Sequence, residues 1–104
     1  MRPDLEIIQK WIEPKSRVLD LGCGDGALLT LLKKNKRVDS IGLEIDAANI
    51  QHCIRNGVNV IEQNLDKGLS NFETDSFDTV VLTQTLQALS SPDKLIEEIF
   101  GIHL

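Results

Sequence analysis

Apolar positions follow two rhythms along this 104-residue chain. At the start, Leu5, Ile8 and Ile12 recur at helical spacing with Ile7 and Trp11 beside them. The pattern predicts an amphipathic helix, capped by Asp4 and stopped by Glu13-Pro14-Lys15-Ser16. The short run Arg17–Leu21 predicts a strand, and ALLTLLKKN after it a helix. Residues 39–43, DSIGL, predict a second strand. Asp46 is expected to cap a helix over AANIQHCIRN, which ends at Gly57, a favourable C-terminal position. VNVIE at 58–62 predicts a third strand, DKGLSNFETDS a polar loop, and FDTVVLT at 77–83 a fourth strand. Ser91-Pro92 opens a last helix, PDKLIEEIF.

Strands that alternate with helices imply a parallel sheet, because parallel neighbours need a crossover. The expected fold is therefore α/β, a Rossmann-like doubly wound parallel sheet of about four strands. The first strand is expected to be central. Ligands of such sheets bind beyond the carboxyl ends of the strands at the switch point, which is where the loop Gly22-Cys23-Gly24-Asp25-Gly26 falls.

Glycines at a strand-to-helix turn let the main chain approach a ligand closely. Gly22 to Ala27 satisfies G-x-G-x-x-G/A, a pattern shared with nicotinamide dinucleotide sites and matched by tight packing turns as well. Asp20 separates the possibilities. A pyrophosphate on this loop would meet the carboxylates of Asp20 and Asp25, at a cost on the order of 1–4 kcal/mol per close pair. A ligand with a cationic end and no phosphate removes the conflict. S-adenosylmethionine has such an end, an α-ammonium and a sulfonium, and Asp20 suits it. The plainer alternative is that Asp20 braces the loop through backbone N–H groups.

Glu44 at the end of the second strand is placed to accept hydrogen bonds from the hydroxyls of an adenosine ribose. Asp46 is better explained as a helix cap. Gly22, Cys23 and Gly24 in the loop and Ile45 beside Glu44 complete the expected cofactor wall. At the end of the third strand an amide at Gln63 or Asn64 could read the adenine edge and Leu65 could cover a ring face; the amides serve equally well as loop residues. Gln84, at the end of the fourth strand, lies on the same rim.

Charge narrows the partners. Lys and Arg number 11 against 16 Asp and Glu, a net charge of −5, and the densest basic stretch, KKNKR, falls at an expected helix end. No nucleic-acid partner is expected. No apolar run approaches membrane-spanning length, and the opening RPDLE has no apolar leader segment. Cys23 and Cys53 are distant in sequence without metal-ligand spacing, and His52 and His103 do not group with them. A reduced, cytoplasmic protein without a metal is expected.

VLDLGCGDG, GLEID and DSFDTVVLTQTL together resemble the motifs of class I S-adenosylmethionine-dependent methyltransferases. RPDLEIIQKWI at 2–12, SRVLDLGCGDG at 16–26, GLEID at 42–46, GVNVIEQNLDKGL at 57–69 and SFDTVVLTQTLQAL at 76–89 resemble more closely one branch, the MetW family of methionine-biosynthesis proteins. The resemblance implies a methyltransferase fold, S-adenosylmethionine as cofactor, and an association with homoserine O-acyltransferase. It names no methyl acceptor. The chain has no Tyr and no His where a general base is naturally needed, so no catalytic residue is assigned. A cofactor-binding remnant, or a regulatory interaction module without methyl transfer, stays open beside the methyltransferase-like function. Asn64 stands where many relatives have Asp. A complete fold of this class has seven strands in the order 3-2-1-4-5-7-6, so residues 1–104 are expected to form a single truncated domain of order 3-2-1-4. Strand four is then an exposed edge that invites self-association.

Overall fold

The computed structural model describes residues 3–72, 76–82, 93–95, 97 and 99. β1 (Arg17–Leu21) lies inside a four-stranded parallel sheet. β2 (Asp39–Glu44) and β3 (Val60–Glu62) extend from one side of it and β4 (Thr79–Leu82) pairs on the other, in the order β3-β2-β1-β4. Three helices precede or connect the first strands: α1 (Pro3–Lys10), α2 (Ala27–Lys36) and α3 (Ala47–Arg55). A single 3-10 turn covers Leu65–Lys67, and residues 93–95, 97 and 99 are helical.

Alternation along the strands divides the interior into two layers. Val18 points into a cluster with Ile12, Leu28, Leu29, Leu32, Val38, Cys53 and Val58, the face covered by α1, α2 and α3. Leu19, Leu21 and Leu43 point the other way, against Leu65, Leu69, Phe77 and Leu95. Phe72 and Phe77 meet edge to face there, 5.6 Å between ring centroids. Each fully buried leucine contributes roughly 1.5–3 kcal/mol of transfer free energy. Both sheet faces being covered, β1 reads as an apolar run broken only by Asp20.

The helix signals hold with adjustments. α1 begins at Pro3, so Asp4 lies in its first turn and not at the cap; proline's fixed φ suits the first helical position. Ile8 and Leu5 pack on the core and Ile12 is buried, while Ile7 and Trp11 face outward, Trp11 77% exposed. Asp46 does cap α3, accepting from the Asn49 amide at 2.9 Å, and Gly57 follows that helix at φ +73°. The basic end of α2 serves the fold: Lys33 Nζ donates to the Gly57 carbonyl and Lys36 Nζ to that of Ile12. The third strand is shorter than expected, because Val58 turns inward and its amide closes the end of α3 by donating to the Cys53 carbonyl. At the opposite end of the sheet, Asp78 accepts from the Arg17 guanidinium and backbone amide, tying β4 to β1.

Candidate cofactor site

β1 runs into a loop with glycines at φ +72°, +60° and +82° (Gly22, Gly24 and Gly26) before α2 begins. The loop is pinned to β2: the amides of Gly22 and Cys23 both donate to the Leu43 carbonyl, at 2.8 and 3.0 Å. At Gly24 an added Cβ would meet nothing within 4 Å, so the left-handed backbone demands glycine there and the space beside it is open. At Gly26 a Cβ would press on Cys53 Sγ at 3.0 Å as well as strain the backbone. Asp25 Oδ1 accepts from the Ala27 amide, so this carboxylate caps the first turn of α2.

Asp20 occupies the penultimate position of β1, opposite Gly42 of β2 and Val81 of β4. It is 3% exposed, and its Oδ1 has no hydrogen-bond partner among the described residues. Burial, and secondarily the charge of Glu44, push its carboxyl up to about 7. Asp20 is thus a buried carboxyl whose Oδ1 is unpartnered, two residues before the glycine loop. A loop brace would have its oxygens on backbone N–H groups, and Oδ1 has none.

Glu44 is the more connected acid. Its Oε1 accepts from the Gly24 amide at 2.8 Å, and its Oε2 from the amides of Ile45 and Asp46 at 3.2 and 3.0 Å. One carboxylate thus fastens the glycine loop to the turn that starts α3. Each carboxylate oxygen offers two lone pairs, so Oε1 keeps one for an incoming hydroxyl. Glu44 therefore holds the loop while keeping one acceptor position, a structural role the sequence did not reveal.

The remaining expected residues are placed as follows. Ile45 is exposed directly beside Glu44. Asn64 uses its Oδ1 to accept from the Asp66 amide and so starts the 3-10 turn. Leu65 is buried in the layer beneath the sheet with Leu19 and Leu43. The Gln63 side chain donates to the Gly68 carbonyl and exchanges hydrogen bonds with Asn71. Gln84 lies outside the described residues.

The cysteines, distant in sequence, meet in space: Cys23 Sγ and Cys53 Sγ are 3.8 Å apart, both thiols free and buried. Cys23 also explains Gly42. A Cβ on residue 42 would lie 2.5 Å from Cys23 Sγ, so the strand gives up a side chain to seat the sulfur. Glycine inside a strand pattern is the sequence signal for such a close approach. No group of three or more metal-ligating side chains exists among the described residues.

The parallel sheet, the glycine loop after β1 and the acid closing β2 define a Rossmann-like fold of the methyltransferase type. A S-adenosylmethionine-dependent methyltransferase from Archaeoglobus fulgidus superposes with a TM-score of 0.83 at 24% identity, over 96% of this chain and 45% of its own. The [4+2]-cyclase SpnF superposes equally well, TM-score 0.83 at 18% identity, over 95% of this chain and 39% of its own. The family described as methionine biosynthesis protein MetW matches residues 2–103, and the chain belongs to that family. The bifunctional methionine biosynthesis protein MetXA/MetW of Rhodopirellula baltica is 35% identical over 95% of this chain. The chain spans 17% of the length of that relative.

Proposed function

We propose that this chain carries the cofactor side of a S-adenosylmethionine site in a methyltransferase-like protein of methionine biosynthesis. The observation that carries the proposal is Asp20: a buried carboxylate with an unpaired oxygen, two residues before a left-handed glycine loop that is open at Gly24. Asp20 receives the cationic amino-acid end, the Gly22–Gly26 loop lets the ligand approach the backbone, and Glu44 Oε1 accepts a ribose hydroxyl. Ile45 and Asn64 are assigned to the adenine and rim positions, with Leu65 backing them from the buried layer; Gln84 lies outside the described residues. When bound, the cofactor supplies an electrophilic methyl group. This chain's contribution is to bind and orient it, and proximity is the catalytic effect such binding can offer.

The association with homoserine O-acyltransferase belongs to the same proposal. Its support is the fusion named MetXA/MetW in the Rhodopirellula relative. No helix among the described residues is long and apolar enough to cross a membrane, and a cytoplasmic location is proposed with the rest. The outer edge of β4 has no strand partner among the described residues, and it borders an apolar groove lined by Ile8, Trp11 and Ile12. A second copy of the chain pairing along this edge is the expected self-association. A monomer at high concentration in size-exclusion chromatography would remove it.

The deciding experiment is calorimetric titration with S-adenosylhomocysteine, which retains the α-ammonium and the ribose. Binding by the wild type, lost by at least tenfold in Asp20→Ala and Glu44→Ala, is expected, since a hydrogen bond to a charged group is worth roughly 1.5–3 kcal/mol. Equal affinities in all three proteins would refute the site.

A further inference from the structure

The two sulfurs are the feature that neither the cofactor site nor the core explains. Cys23 sits inside the glycine loop, Cys53 on the inner face of α3, and both sulfurs lie within 4 Å of the Gly24 carbonyl oxygen, at 3.8 and 3.4 Å. Ordinary core packing does not need two thiols in contact here. The seat for Cys23 leaves no room for a side chain at Gly42, and a Cβ at Gly26 would lie 3.0 Å from Cys53 Sγ.

We propose that Cys23 and Cys53 form an intramolecular disulfide on exposure to a low-molecular-weight disulfide oxidant, and that this bond latches the glycine loop to α3. The sulfurs stand 3.8 Å apart. A bond of about 2.05 Å requires an approach of under about 2 Å, within the reach of side-chain rotation plus a small loop movement. Cys23 is the point of entry, since it is 8% exposed and Cys53 is fully buried. The Cys23 thiolate attacks one sulfur of the oxidant and expels a small thiolate, giving a mixed disulfide. The Cys53 thiolate then attacks Cys23 Sγ and expels the second small thiolate. The protein loses two S–H hydrogens and gains one S–S bond, while the small disulfide is reduced to two thiols.

Burial raises both thiols above the usual thiol range, with the nearby carboxylates of Asp20 and Glu44 adding to it. The thiolate is the reactive form, so closure is slow at neutral pH and accelerates as pH rises. The consequence for binding rests on the cofactor proposal. Pulling Cys23 toward α3 lifts it off Gly42 and displaces Gly24, whose amide Glu44 holds.

The test treats the folded chain with glutathione disulfide and measures intact mass, then maps the linked peptides, then titrates S-adenosylhomocysteine into reduced and oxidised protein. Expected are a product lacking two hydrogens, a Cys23–Cys53 cross-link, a loss of ligand affinity of tenfold or more, and full recovery on adding dithiothreitol. Cys53→Ser should stop at the mixed disulfide. Two thiols persisting in the folded protein, a cross-link between chains, or a mixed disulfide alone in the wild type would overturn the bond. Unchanged affinity in the oxidised form would overturn the latch. Failure of the cofactor proposal is distinguishable, because it shows as no binding by the reduced protein.

Discussion

Asp20→Asn separates what the buried acid does for a ligand from what it costs the fold. The carboxyl rises from 3.8 to about 7, through burial first and the Glu44 charge second. A folded-state pKa above the unfolded one means the native protein holds the proton more tightly. The associated stability is fully present below pH 3.8 and is lost as pH climbs through about 7. The gap, about 7 minus 3.8, at 1.36 kcal/mol per pH unit, amounts to about 4 kcal/mol. Asparagine keeps the shape and never ionises. The variant's stability relative to wild type should therefore improve progressively between pH 4 and pH 7, by up to about 4 kcal/mol, and level off above. Any cost of the unpaired amide is independent of pH and cancels in that comparison. At about 4–8 °C per kcal/mol for a chain of this size, the relative change in unfolding midpoint between pH 4 and pH 8 should exceed 10 °C. Thermal unfolding followed by far-ultraviolet circular dichroism, with both proteins at matched ionic strength, measures it. A stability difference that stays flat from pH 4 to pH 8 would refute the buried-charge account of Asp20. The same variant should lose its response to S-adenosylhomocysteine.

Ligand affinity in the wild type should fall as pH drops below about 7, because a protonated Asp20 no longer attracts a cation; calorimetry at pH 6 and pH 8 checks the direction. Gly42→Ala should destabilise by about 1–3 kcal/mol, since its Cβ would lie 2.5 Å from Cys23 Sγ. Adding Cys23→Ala should recover part of that loss in urea unfolding, since the Cys23 Cβ at 2.9 Å and Leu29 Cδ1 at 3.1 Å remain, and an additive double variant would sink the packing explanation. Glu44→Gln should lower the unfolding midpoint even without ligand, because one amide oxygen cannot accept from Gly24, Ile45 and Asp46 together. Faster hydrogen exchange at the Gly24 amide is the specific sign. Arg17→Ala should cost about 1 kcal/mol or less, as its guanidinium pair with Asp78 is about half exposed on each side. A larger loss in chemical denaturation would mean the pair does more than tie β4 to β1.

The strand order and the alternation of strands and helices were legible because each parallel neighbour needs a crossover, and each crossover left a helical rhythm between apolar runs. The glycine loop and both acids were legible by position at strand ends. Ends of elements were less so: α1 begins at Pro3, ahead of the expected cap Asp4, and the amide of Val58 closes α3 instead of joining the sheet. Chemistry depending on contacts between distant residues was not legible. Cys23 and Cys53 are separated by a whole α-β-α passage, and only Gly42, a residue without a side chain in an otherwise apolar strand, hinted that something sits above it. The three amides gathered by Glu44 are likewise a property of how two loops meet. Burial of Leu65 in the lower layer reflects the tertiary position of the 3-10 turn.

Asp20, the glycine loop and Glu44 all come from residues 17–62, one continuous β-α-β-α-β passage, whereas β4 enters from the far side of β1. The passage that holds the proposed ligand contacts is therefore assembled from neighbours along the chain, with little loop-closure entropy to overcome. β4, by contrast, depends on a return across the sheet. β4 still shares the core of that passage, since Val81 packs in the layer of Leu28 and Cys53, and Val80 and Leu82 pack against Leu19, Leu21 and Leu43. A methyltransferase and a [4+2]-cyclase superpose equally well on this chain, so the fold by itself does not set the reaction.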